Sequence, residues 1–304
     1  MNFSAFQPSD LLRAEALCYL VFLSCLQARN PLGFIELVFQ LPRFVFAMCS
    51  AAALIALTNS FASAANAVAA NSANAKTQPR RVFTSVDEVI GTYGAAVRKK
   101  LKPVLQAVDV PYPPAQMTWI CLKEEKVLLL FAKDSSGKQK QILGYPIVGA
   151  SGAAGPKLKE GDLQVPEGFY RIPSFHPNVI AHMALDVNYP NEEDRLHAKS
   201  EHRRKLGCDI LIHGSRWSTG CLAMGNEPIE EMFVLAYDCG IKNIRLIFAP
   251  CNLNVQKPKI DFTKQPAWLP ALYKRLSYAL KDFPIDVSSV PPPPKFEDSK
   301  SEKK

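Results

Sequence analysis

His213 and Cys221 are the residues best suited to covalent chemistry in this 304-residue sequence. His213-Gly214 closes the apolar run Cys208-Asp209-Ile210-Leu211-Ile212, and Cys221 sits inside Ser218-Thr219-Gly220-Cys221-Leu222-Ala223-Met224. The thiolate is the nucleophilic form of cysteine, and a neighbouring imidazole can take the thiol proton. Downstream, Asn226-Glu227-Pro228-Ile229 reads as a helix start with Asn226 as N-cap and a proline near the first turn. A cysteine just ahead of such a start is expected to feel the helix's partial positive charge and to ionise more easily. Gly220 permits a sharp turn, which would aim the Gly220 and Cys221 amides at a developing oxyanion. The predicted chemistry is attack of Cys221 on an amide, with His213 relaying the proton through an acyl-enzyme.

Such a pair needs a strand to end at the histidine and a turn to present the cysteine. Short apolar runs predict strands over 118–122, 127–132, 139–150, 167–172, 180–187, 209–213 and 244–248. Ser85-Val86-Asp87-Glu88 reads as a capping box opening a helix that carries Val89, Ile90, Tyr93 and Val97 to about Leu105. Helical spacing returns over 229–237 and 268–280. The body is therefore expected to be a β-rich α+β domain with peripheral helices.

At these motifs the sequence resembles the L,D-transpeptidases of the YkuD type, and more closely their YafK-like branch with a short His-to-Cys loop. Lys159-Glu160-Gly161-Asp162, Val165 to Tyr170, and Asn188-Tyr189-Pro190-Asn191 with Asp194-Arg195 agree with it. The resemblance covers about residues 117–252. It implies a β-sandwich-like catalytic domain with Cys221 as nucleophile and His213 as base, oriented by the Gly214 carbonyl. The Gly220 and Cys221 amides become oxyanion donors, and Ser218 matches the motif serine. The implied substrate is the peptidoglycan stem peptide, cleaved at meso-diaminopimelate. The acyl group then passes to a second stem, to a lipoprotein lysine or to water, and a carbapenem is expected to acylate the cysteine. No cofactor and no metal are implied. Thr219 and Ala223 depart from residues common in the family, which changes the expected substrate contacts. Thr219, Arg216, Trp217 and Tyr189 are candidates for those contacts, although Tyr189 also reads as part of a proline-containing turn.

Composition narrows the rest. The chain is 48% hydrophobic and 21% charged, which excludes general disorder and collagen-like or heptad-repeat architectures. The +8 net charge falls within residues 65–284, because acidic and basic residues balance in 1–64 and again in 285–304. No dense Lys/Arg run with interleaved aromatics accompanies it, so nucleic acid is not an expected partner. Residues 1–64 read as an export leader: Arg43 precedes an apolar run from Phe44 to Leu57, and Ala62-Ser63-Ala64 fits a cleavage signal. Cleaved or retained as a membrane anchor, it places the body outside the cytoplasm, in the periplasm or envelope. Residues 65–116 are expected to be a linker and helical segment, 117–252 the catalytic domain, 253–284 a helical extension and 285–304 a disordered tail. Five cysteines remain after the leader, so at least one thiol is expected to stay unpaired. Zinc chemistry would draw on His176, His182, His197, His202 and His213, but none shows metal-site spacing. A non-catalytic wall-binding module is disfavoured by the joint retention of His213, Gly220 and Cys221.

Overall fold

A computed structural model describes residues 81–294, which belong to one compact unit, Arg80–Lys304. The leader expected over 1–64 lies outside the described residues, as does most of the linker that follows it. Helix α1 (Val86–Gln106) comes first, then strands β1 (Met117–Leu122), β2 (Val127–Lys133), β3 (Gln139–Pro146), β4 (Gly168–Arg171), β5 (Phe175–Val179) and β6 (His182–Asp186). Helix α2 (Glu192–Ser200) precedes β7 (Leu211–His213) and β8 (Leu222–Ala223). Helix α3 (Asn226–Cys239), strand β9 (Ile244–Ala249) and helix α4 (Leu269–Leu280) follow. One sheet has the order β3-β2-β1-β9-β4 and the other β5-β6-β7-β8. Pairing is parallel between β1 and β9 and between β7 and β8, and antiparallel elsewhere.

Strands β1 and β2 are buried almost throughout because both faces of their sheet are covered. Successive side chains alternate between faces. Trp119, Cys121, Leu128 and Leu130 join a core shared with α1, α3 and the second sheet. Ile120, Leu122, Leu129 and Phe131 face the other way, against Leu269, Leu272, Leu276 and Leu280 of α4. The α+β class expected from the sequence is the one observed.

The start of α1 follows its sequence signature, with the Ser85 side chain accepting from the Glu88 amide. The start of α3 does not. Its N-cap is Gly225 at φ 87°, and Asn226 is the first helical residue. The Asn226 side chain instead accepts from the Ser215 amide through Oδ1 at 2.9 Å, tying the helix to the segment after β7. The run expected as a strand over 139–150 ends at Pro146, and Gly149 then bridges to Ala223. Of the tail expected to be disordered over 285–304, residues 285–290 are corrected, and 295–304 lie outside the described residues. Ile285, Val287 and Val290 pack on the α4-side core, and Gln141 exchanges hydrogen bonds with the Asp286 backbone at 2.9 Å. Ile285, Val287 and Val290 cover the β2–β3 surface before the proline run begins.

Candidate active site

Strand β7 lies between β6 and β8, so the backbone of His213 is held from both sides. It pairs with Ala184 on one side and Ala223 on the other. The Met224 amide donates to the His213 carbonyl at 2.8 Å, and the Gly214 amide donates to Met183 at 3.1 Å. The His213 ring is buried, and its Nδ1 lies 2.5 Å from the Gly214 carbonyl oxygen. A carbonyl only accepts, so Nδ1 carries the proton and Nε2 presents its lone pair. Burial lowers the imidazole pKa below its ordinary value, and the Gly214 carbonyl partly opposes that. Gly214 has no room for a side chain. A Cβ there would stand 2.7 Å from the Ala181 carbonyl oxygen and 2.8 Å from Asn226 Oδ1.

Cys221 immediately precedes β8. Extending the β7–β8 register by one step sets it opposite Leu211, diagonal to His213 and on the same face. Its Sγ accepts from the Leu211 amide at 3.3 Å and donates to the Asp209 carbonyl at 3.4 Å. Asp209 and Ser215, at either end of β7, both adopt positive φ, 57° and 61°. Backbone of this kind is held by its surroundings and is common at functional sites. Among the described residues no hydrogen bond joins His213 to Cys221 in this state.

The expectation that a helix start would favour the thiolate is not met. Strand β8 and Gly225 separate Cys221 from α3, and the first turn of that helix engages Ser215. Burial raises the Cys221 pKa above its ordinary value. The Leu211 amide opposes this, the Asp209 charge adds to it, and Lys157 weakly lowers it. The resting pair is thus a neutral thiol and a neutral imidazole.

Gly220, buried at φ 121°, makes the turn before the nucleophile. The Ser218 hydroxyl accepts from the Gly220 amide at 3.3 Å and donates to the Cys221 carbonyl at 2.6 Å. Ser218 therefore braces the turn. Of the two amides expected at an oxyanion hole, Gly220's is lightly engaged and Cys221's bonds to none of the described residues. The segment after β3 folds beside this turn. Its Ser151 hydroxyl donates to the Leu163 carbonyl at 2.7 Å, and the Gln164 carbonyl oxygen comes within 3.4 Å of where a Gly220 Cβ would stand. Buried Glu167 anchors that segment. It pairs with Lys123 Nζ at 3.0 Å and accepts from the Gly155 amide at 2.9 Å and the Tyr273 hydroxyl at 2.6 Å.

The expected substrate contacts are divided. Trp217 (65% exposed) and Thr219 stand in solvent, and the Arg216 guanidinium lies over the Trp217 ring at 5.2 Å. Tyr189 is corrected: its side chain is buried and its hydroxyl donates inward to the Leu206 carbonyl at 3.1 Å. The turn reading of its motif is the right one, since Asn191 and Asp194 form the capping box of α2. Sequence reasoning missed Asp209 and Leu211 as sulfur partners, and it missed the buried Lys157, which pairs with Asp162 at 2.6 Å. The register of β7 on β8 was the signal for Leu211. Nothing local marked the other two. All five cysteines among the described residues are free thiols, so no pair forms there. Of the five zinc candidates, His182 meets Glu230 at 2.8 Å and His197 stacks on Trp268.

Residues 117–238 match the YkuD family, described as the L,D-transpeptidase catalytic domain. A 114-residue stretch is 39% identical to "Putative L,D-transpeptidase YafK" of Escherichia coli K12, covering 36% of this chain and 43% of that protein. The O157:H7 counterpart matches equally, so the match spans less than half the length of either relative. Among solved structures, the helical cell shape determining protein Pgp2 of Campylobacter jejuni is 20% identical at a TM-score of 0.38, covering 53% of this chain and 52% of that one. Bdellovibrio bacteriovorus Bd1075 is 20% identical at a TM-score of 0.33, covering 55% and 56%.

Proposed function

We propose, from the match of residues 117–238 to the L,D-transpeptidase catalytic domain, that this chain is a cysteine-dependent acyltransferase acting on peptidoglycan stem peptides outside the cytoplasm. The observation that carries the reading is the clamp of His213 Nδ1 on the Gly214 carbonyl, which leaves Nε2 as the base on the face shared with Cys221. When a substrate carbonyl displaces Sγ from the Asp209 carbonyl, the thiol proton passes to His213 Nε2. The sulfur bonds to the carbonyl carbon, and the Cys221 amide, joined by that of Gly220, faces the oxyanion. The amide C–N bond then breaks, and His213 returns the proton to the leaving amine. An amine acceptor attacks the thioester in the second half-reaction and regenerates the thiol. That acceptor is a second stem or a lipoprotein lysine. If water serves instead, the same site is an amidase or carboxypeptidase.

No cofactor or metal enters these steps. The test is intact-mass spectrometry after incubation with a carbapenem, comparing wild type with Cys221→Ala. A single adduct on wild type alone is expected. If neither protein is modified, the acyl-enzyme reading fails and the non-catalytic wall-binding module takes its place. Muropeptide profiles after incubation with isolated sacculi then separate transfer from hydrolysis.

A further inference from the structure

A cavity of about 1000 Å³ opens at the edge of the first sheet where β1 and β9 begin and β2 and β4 end. Lys133, Lys138, Arg171, Lys242, Arg245 and Lys281 line it, and Asp282 is its one acidic residue. These cations come from separate places: the end of β2, the β2–β3 turn, the end of β4, the 3-10 turn before β9, β9 itself and the residue after α4. Among the described residues none of the six is in a salt bridge, whereas Arg98, Lys100, Lys140, Arg203 and Arg275 all have carboxylate partners. Like charges gathered into a concavity repel one another and focus a positive potential there.

We infer that this groove is a binding site for a compact, multiply phosphorylated anion. Charge density decides the class. Neutralising the lining takes about five negative charges, and a phosphoryl group carries about 1.5 to 2 at pH 7. About three phosphoryl groups supply that within the cavity, whereas carboxylates would need a separate group for each charge. Two guanidinium forks suit bidentate contact with phosphoryl oxygens, and the lysines add point charges. The volume falls at the upper end of the usual range for ligand sites, about 300–1,000 Å³. The site is remote from Cys221. Gln139 lines the groove at one end of β3, and Gly149, past the other end, pairs with Ala223 beside the nucleophile. The eight residues of β3 alone span about 26 Å.

Calorimetric titration of the full chain with tripolyphosphate tests this, with citrate as the carboxylate comparison. One equivalent should bind, at least ten-fold more tightly than citrate, and more weakly as salt rises. The Lys242→Gln, Arg245→Gln double variant should lose at least ten-fold in affinity. An Arg204→Gln, Lys205→Gln variant, carrying equal charge loss elsewhere, should not. An unchanged thermal unfolding midpoint shows that each variant is folded, so the binding result stands whether or not the acyltransferase reading does. Flotation with phosphatidic acid vesicles distinguishes the sources: flotation that the groove variant weakens means a lipid-borne phosphate, and tripolyphosphate binding without flotation means a free one. The inference is overturned if tripolyphosphate does not saturate a site, if citrate binds as well, or if both double variants lose affinity alike.

Discussion

The chemistry of Cys221 depends on proton transfer at the moment of attack, because neither it nor His213 is charged at rest. Burial holds the thiol above its ordinary pKa and the imidazole below its own. A thiolate–imidazolium pair would need both shifts reversed. His213 works as a base only when neutral, so acylation should fall as pH drops through a single limb below about 6.5, the unperturbed imidazole value. Above it, carbapenem acylation should stay flat across neutral pH. Iodoacetamide alkylation of Cys221 in a His213→Ala variant reads the free thiolate and should climb with pH beyond 9, with no plateau near 7. A plateau near 7 in the wild type that His213→Ala lacks would mean a stable thiolate–imidazolium pair and would remove His213 from the role of general base. His213 and Cys221 were legible from residue type and from their strand-end and turn positions. The thiol's elevated pKa was not, because burial and the Asp209 and Leu211 contacts belong to tertiary packing.

At the scale of elements, the segment beside the catalytic turn is held by one buried ionic cluster. Lys123 projects from the end of β1 to Glu167, and its Nζ donates to the Gly155 and Val165 carbonyls, both at 2.8 Å. Removing one partner of a buried pair leaves the other charge uncompensated, at a cost of about 3–5 kcal/mol. Glu167→Gln should therefore destabilise strongly in thermal denaturation, and protease cleavage should concentrate within residues 150–165. The double variant Lys123→Met, Glu167→Gln should be more stable than Glu167→Gln alone, since no unpaired ammonium remains. Equal stability of the two would show that the pair does not anchor the segment. The sequence placed Glu167 in a motif, Val165 to Tyr170, but did not show its partners, which arrive from the end of β1 and from α4. Strands with continuous apolar runs, β1, β2 and β9, were readable within a residue. Strand β8 has two residues and β5 contains Pro177 and His176, so neither produces a periodic signal. Helix α2 is almost wholly polar, and its capping box at Asn191 and Asp194 was the one usable mark.

For the whole molecule, the stretch matching the family is smaller than the body that must fold. Helix α1 places Val89, Val97, Leu101 and Leu105 in the larger core, and α4 closes the opposite face of the first sheet. Leu269, Leu272, Leu276 and Leu280 are each nearly or fully buried. At about 2 kcal/mol per buried leucine, they contribute about 8 kcal/mol, comparable to the entire stability of an ordinary domain, about 5–15 kcal/mol. A chain limited to residues 117–252 would leave Ile120, Leu122, Leu129, Phe131 and Ile247 facing solvent as one contiguous apolar surface. That chain should aggregate or elute in the void volume on gel filtration, whereas residues 81–294 should be soluble and unfold in one cooperative transition. A soluble, cooperatively folding 117–252 fragment would mean that α1 and α4 are accessories. The sequence located both helices and read them as peripheral. Their weight was not legible, because the need for a cover on each side follows from β1 and β2 being central strands of a sheet apolar on both faces.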